Sequence, residues 1–115
     1  TQDYARAYQS CDVILLPSAP TTAWRFGDVS DPTQMYASDM FTISNNICGN
    51  GGVSVPLGLS AQTHMPVSAQ LQGPAFSDRR LLRFARAIER GVDQGLGLGG
   101  GAPVAPAFAG RGGDL

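Results

Sequence analysis

Hydrophobic and polar positions change period several times along the 115 residues, and each change predicts an element. Tyr4, Ala5 and Tyr8 recur at three- to four-residue spacing, which predicts the end of a helix over residues 1 to 10. "CDVILLP" follows, a short apolar run stopped by Pro17, and predicts a buried strand. Proline, threonine and glycine make "SAPTTAWRFGDVSD" a loop. Asp31 can then cap a helix whose first position is Pro32, where the missing N–H costs nothing. That helix is expected to turn Met35, Met40 or Phe41, and Ile43 inward.

"GVSVPLGL" is a second strand-like run, apolar on both faces apart from Ser54, and Pro56 keeps it off a fully paired central position. "PVSAQLQG" is a third, setting Val67, Ala69 and Leu71 against Ser68, Gln70 and Gln72. Period two gives one face to a core and the other to polar groups. Ser77 or Asp78 then caps "RRLLRFARAIERGV", with Leu81, Leu82, Ala85, Ile88 and Val92 as an apolar stripe. Arg79, Arg83, Arg86 and Arg90 lie mostly off that stripe and read as a solvated face. The order helix, strand, helix, strand, strand, helix is an α/β pattern. Its strands are too few and too apolar to make a complete sheet, so residues 1–93 read as one segment of a larger domain. Residues 94–115, rich in glycine and proline, read as a flexible tail.

Composition narrows the function classes. The net charge of −1 argues against a bulk nucleic-acid binder. All eight basic residues are arginine, which excludes any mechanism that needs an amine side chain from this chain. Cys11 and Cys48 sit in apolar runs without metal-ligand spacing and read as buried free thiols in a reducing compartment. No window reaches the roughly 20 apolar residues of a membrane span, and "TQDYARAYQS" is no signal peptide. Without a starting methionine, and opening in mid-helix, the chain reads as a piece of something longer.

Candidate chemistry is sparse. "GLGLGGG" follows a helix instead of a strand and lacks the partners of a phosphate loop. His64 stands alone, so neither a metal site nor a triad is expected. Ser18 and Ser54 lie near strand ends, with no nucleophile elbow and no base nearby in sequence. Catalytic residues and metal ligands are therefore expected to be absent from this chain. Asp39 is different. It lies within "MYASDMFT", surrounded by Met35, Phe41 and Ile43 on the expected inner side of a helix. It reads either as a partly exposed helix carboxylate or as the partner of a cationic ligand group. The "NNICGNGG" that follows offers amides able to donate and accept, with backbone left open by glycine, so it reads as a flexible loop or as a pocket wall.

"YQSCDVILLPSAPTTAW", "DPTQMYASDMFTISNNICGNGGVSVPLGL" and "MPVSAQLQGPAFSDRRLLRFARAIER" together carry a resemblance. Over about residues 1 to 93 they resemble the C-terminal end of amidase-signature enzymes. In that family the stretches run D-V-L-L-x-P-T-x-P, M-Y-x-x-D-x-x-T-x-P-x-N-x-x-G-x-P-x-x-S-V-P-x-G and L-P-x-G-x-Q-x-x-G-x-x-F. "MYASD" favours the branch that serves as the glutamine-hydrolysing A subunit of aspartyl/glutamyl-tRNA amidotransferases. Ser44 and Gly51 replace prolines of the pattern and Ser68 a glycine, and the glycines are expected to loosen the turn before "VSVP".

The resemblance implies the C-terminal portion of the amidase-signature fold, a mixed β-sheet flanked by helices. It implies a glutaminase half-reaction on a serine, a bridging serine and a lysine, all upstream of these residues, so the segment alone should be inactive. Asp39, by match to the motif, would bind the α-amino group of glutamine. No cofactor is implied for this chain. ATP and Mg would serve a partner B subunit, through which the mischarged tRNA is met, with a small C subunit bracing a cytoplasmic complex and no membrane. A general amidase of the same superfamily and a non-catalytic, truncated interaction module are the competing readings.

Overall fold

The computed structural model describes residues 1–29 and 31–96. In chain order they form helix α1 (Gln2–Ala7), strand β1 (Ile14–Pro17), helices α2 (Pro32–Ala37) and α3 (Ile43–Cys48), strands β2 (Gly51–Leu59) and β3 (Pro66–Gly73), and helix α4 (Asp78–Gly91). A π-helical turn, Val92–Leu96, extends α4. The strands pair antiparallel in the order β1-β3-β2, which makes the alternating strand the central one. Gln70 stands opposite Leu16 and Ser54, and Gln72 opposite Ile14 and Gly52. Pro56 fits because β2 is an edge strand whose register shifts between Pro56 and Gly58.

The apolar face of the sheet packs on α4. Val55, Leu71, Leu81 and Ala85 are buried together, with Val13, Val53 and Ile88 against them. The helix comes close because the strands carry glycine beneath it. A Cβ on Gly73 would lie 2.7 Å from Ser77 Oγ and 3.1 Å from Leu81 Cδ2, and one on Gly51 2.8 Å from Leu81 Cδ1. Gly51, expected to loosen its turn, is thus a point of close packing. Ser77 takes the N-cap position, but its hydroxyl donates to the Pro74 carbonyl at 2.6 Å and caps no helix N–H.

Several expectations are corrected. Leu82 is 61 % exposed, because one residue is about 100° of helix and turning Leu81 to the sheet carries Leu82 round to Arg79, Arg83 and Arg86. The "buried" strand β1 leaves Leu15 at 59 % exposure, since α4 packs on β2 and β3 and β1 is the far edge. Cys11 is exposed and Cys48 half-buried, both as free thiols. Asp31 does cap α2, accepting from Thr33 N–H at 2.9 Å. The helix nevertheless stops after Ala37, and Met35, Met40 and Ile43 are exposed instead of inward. Ser38 Oγ donates back to the Met35 carbonyl at 2.6 Å, and the N–H groups of Ser38, Asp39 and Met40 bond three residues back. The tail expected over 94–115 begins with this helical turn to Leu96, and residues 97–115, with most of "GLGLGGG", lie outside the described residues.

Candidate functional site

"NNICGNGG" is an ordered helix end and strand start, and Asn45, Asn46, Asn50 and Gly52 from it line one cavity. Its first half is the end of α3, stopped by Gly49 in the left-handed region at φ 68°, and its last glycines open β2. The Gly49 N–H bonds the Asn46 carbonyl at 3.1 Å and the Asn50 N–H the Asn45 carbonyl at 3.2 Å, satisfying the helix end. Gly52 lets α3 approach the strand, for a Cβ there would stand 2.9 Å from Asn45 Nδ2. Asn45, 6 % exposed, donates that group to the Gly51 carbonyl at 3.4 Å.

On the polar face of the sheet a hydrogen-bond network replaces packing. Gln70 Nε2 and Gln72 Nε2 both donate to the Phe41 carbonyl, at 2.9 and 2.8 Å. Tyr4 OH donates to Gln72 Oε1 at 2.8 Å. With its one proton used there, the phenol oxygen can only accept from Ser44 Oγ, 3.0 Å away. Ser44, a departure from the family proline, thereby ties α3 to α1. Ser18 Oγ and Ser54 Oγ meet at 3.2 Å on the same face.

Asp39 stands at the turn this network holds. Its carbonyl accepts from the Thr42 and Ile43 N–H groups at 2.9 and 3.0 Å, and Phe41, two residues on, carries the carbonyl taken by both glutamines. The side chain is exposed, and among the described residues its carboxylate has no hydrogen-bond or ion-pair partner. Its placement on the inner side of a helix is therefore corrected, because the helix breaks there. A cavity of about 230 Å³ opens beyond Thr42, lined also by Asn45, Asn46, Asn50, Ser54 and Gln70. His64 lies exposed in the β2–β3 turn, apart from all of these. Among the described residues no three His, Cys, Asp or Glu side chains gather as a metal site would require. No helix there is long and apolar enough to cross a membrane.

The Amidase family model matches residues 1–82. The chain belongs to the amidase family. It is 42 % identical over 94 residues to the A subunit of the glutamyl-tRNA(Gln) amidotransferase of Maridesulfovibrio salexigens, covering 81 % of this chain and 19 % of that protein. To the A subunit of the Cupriavidus taiwanensis enzyme it is 47 % identical over 92 residues, 79 % of this chain and 18 % of the relative. The crystal structure of the corresponding protein from Thermotoga maritima matches with a TM-score of 0.74 at 38 % identity, over 77 % of this chain and 19 % of the other. This amidase-family chain thus spans about a fifth of the relatives it matches.

The amidase pattern as read from sequence contains Asp39 and Gln70 but gave no place to Tyr4 or Gln72, and it met Ser44 only as a departure from a proline. A signal was present in the polar half of "PVSAQLQG", since two glutamines on one strand face need buried partners.

Proposed function

We propose that this chain is the C-terminal part of the glutamine-hydrolysing subunit of a tRNA-dependent amidotransferase, acting on Glu-tRNA(Gln) or Asp-tRNA(Asn). Its own contribution is to bind glutamine through Asp39. One observation carries the reading: a carboxylate without a partner among the described residues stands on a turn held to the sheet through the Phe41 carbonyl by two buried glutamines. A carboxylate so fixed suits the α-ammonium group of an amino acid, because a charge-assisted hydrogen bond to it sets the substrate's register. The relatives' names support the substrate class.

The nucleophilic serine, bridging serine and lysine come from outside these residues, consistent with a chain that contains no lysine. The segment by itself is therefore inactive and binds no cofactor. ATP and Mg belong to a partner B subunit, which also meets the mischarged tRNA, while a C subunit completes a cytoplasmic complex.

In the assembled enzyme, Asp39→Asn should reduce glutamine-dependent activity by roughly 2–4 kcal/mol in kcat/KM, the loss of one charge-assisted contact left half-made. Activity with free ammonia should survive. Unchanged use of glutamine would remove Asp39 from the substrate site.

A further inference from the structure

Helix α4 turns a row of arginines away from the sheet. At about 100° and about 1.5 Å per residue, Arg79, Arg83, Arg86 and Arg90 fall within an arc of about 80° and along about 16 Å, opposite Leu81 and Ala85 in the core. All of them are exposed, and none has a hydrogen-bond or ion-pair partner among the described residues. Arg80, off the row, pairs with Asp12 instead. Glu89 is the single acid of α4 beyond its first turn, and it pairs with none of them. Beside the row Leu82 is 61 % exposed, and with Arg79, Arg83 and Arg86 it borders a hollow of about 620 Å³.

Solvation alone does not require this pattern. Like charges three and four residues apart on a helix repel, and Arg79 in the first turn also opposes the helix dipole. Mixed charges would keep the face as wet without that repulsion. An anionic partner turns the repulsion into attraction, and the hollow narrows its chemistry. Phosphates of a nucleic acid would engage the guanidinium groups but leave Leu82 and the arginine stems uncovered. A protein helix with carboxylates at the same three- to four-residue spacing meets the row charge for charge, and its adjoining apolar side chains cover Leu82 and the stems. We propose that the outer face of α4 docks an acidic amphipathic helix of a partner protein. Arginine suits such an interface because its planar fork pairs with a carboxylate through two parallel hydrogen bonds. The face lies across the sheet from the Asp39 turn, and its role holds whether or not Asp39 meets glutamine.

The test uses the full-length polypeptide carrying this segment and a fluorescent synthetic peptide of about 18 residues, long enough to hold a helix. The peptide carries glutamates at i, i+4, i+7 and i+11, with leucines along one side of that row. A version with glutamine for every glutamate and a single-stranded oligouridylate RNA are the controls. A saturable anisotropy change is expected with the glutamate peptide and with neither control, and it should weaken as salt is raised. Arg83→Glu combined with Arg86→Glu should weaken binding by about tenfold or more, and lysines in the peptide facing that pair should restore it. Leu82→Ala should weaken it by about threefold, a loss that a purely electrostatic contact would not show. These side chains are exposed, so the variants keep the fold. Tighter binding of the RNA, indifference to either change, or no binding of the peptide would overturn the proposal.

Discussion

Gln72, with no exposed surface, reaches across the sheet's polar face to donate to the Phe41 carbonyl at 2.8 Å. Its other amide end accepts from Tyr4 at 2.8 Å, so one side chain joins α1, β3 and the Asp39 turn. Gln72→Leu removes both bonds, while Gln70 still holds Phe41 and Tyr4 OH can turn its proton to Ser44 Oγ. We expect a loss of about 1–3 kcal/mol in denaturant unfolding of the full-length protein, the net worth of two buried hydrogen bonds. If Asp39 binds glutamine, KM for glutamine should rise more than kcat falls, and ammonia-dependent turnover should be spared. Equal loss with both donors would reduce Gln72 to a stabilising role.

Gly73→Ala should destabilise strongly. Its new methyl would sit 2.7 Å from Ser77 Oγ and within 3.3 Å of two Leu81 carbons, with Leu81 wedged in the core. Overpacking of this kind costs typically about 1–3 kcal/mol. Paired with Ser77→Ala, which removes the nearest atom and leaves the core side chain whole, part of that loss should be recovered, and a thermal-melt comparison of single and double variants checks it.

Tyr8 makes a pH-dependent contribution. Burial, and after it Tyr4, Cys11 and Cys48, hold its hydroxyl above the ordinary value of 10.0. As pH rises past 10.0 the unfolded chain ionises while the folded one stays neutral, so the folded state binds more protons. Its contribution is intact below that pH and is lost as pH rises through the folded-state value. Tyr8→Phe should flatten this loss in unfolding curves taken at about pH 8 and about pH 11. Near neutrality the same variant should be neutral or slightly stabilising, because the buried hydroxyl has no partner among the described residues.

Arg80→Ala should change stability by less than about 0.5 kcal/mol. Its 2.8 Å pair with Asp12 joins two side chains that are each more than half exposed, where screening and side-chain entropy cancel most of the attraction. A double-mutant cycle with Asp12→Ala measures the coupling directly.

The 115-residue chain in isolation should self-associate. Leu15, Met35, Met40, Ile43 and Ile47 are exposed, and an apolar groove of about 550 Å³ runs past Leu15, Leu57, Pro66 and Val67. Strands β1 and β2 also offer unpaired edges among the described residues. Sedimentation across a concentration series checks this, and a monomer at every concentration would contradict it.

Local chemistry was readable from sequence wherever the cause was itself local. Asp31 with Pro32 dictated a helix start, Pro56 kept β2 to an edge, and the alternation of "PVSAQLQG" gave β3 two unlike faces. The motifs around Asp39 and Gln70 gave the family for the same reason, since they are short runs of residues in fixed order. Which apolar residues would be covered was not readable, because burial of Leu15, Leu82 and Ile43 depends on where α4 and α3 lie in space. The break at Asp39 was hidden too. The turn that follows it is tied to the sheet through Phe41's carbonyl, which is taken by glutamines 29 and 31 residues away, one of them steadied by a tyrosine far upstream. Such bonds form only once the sheet has set its register, so the tertiary structure alone decided how the Asp39 turn is held.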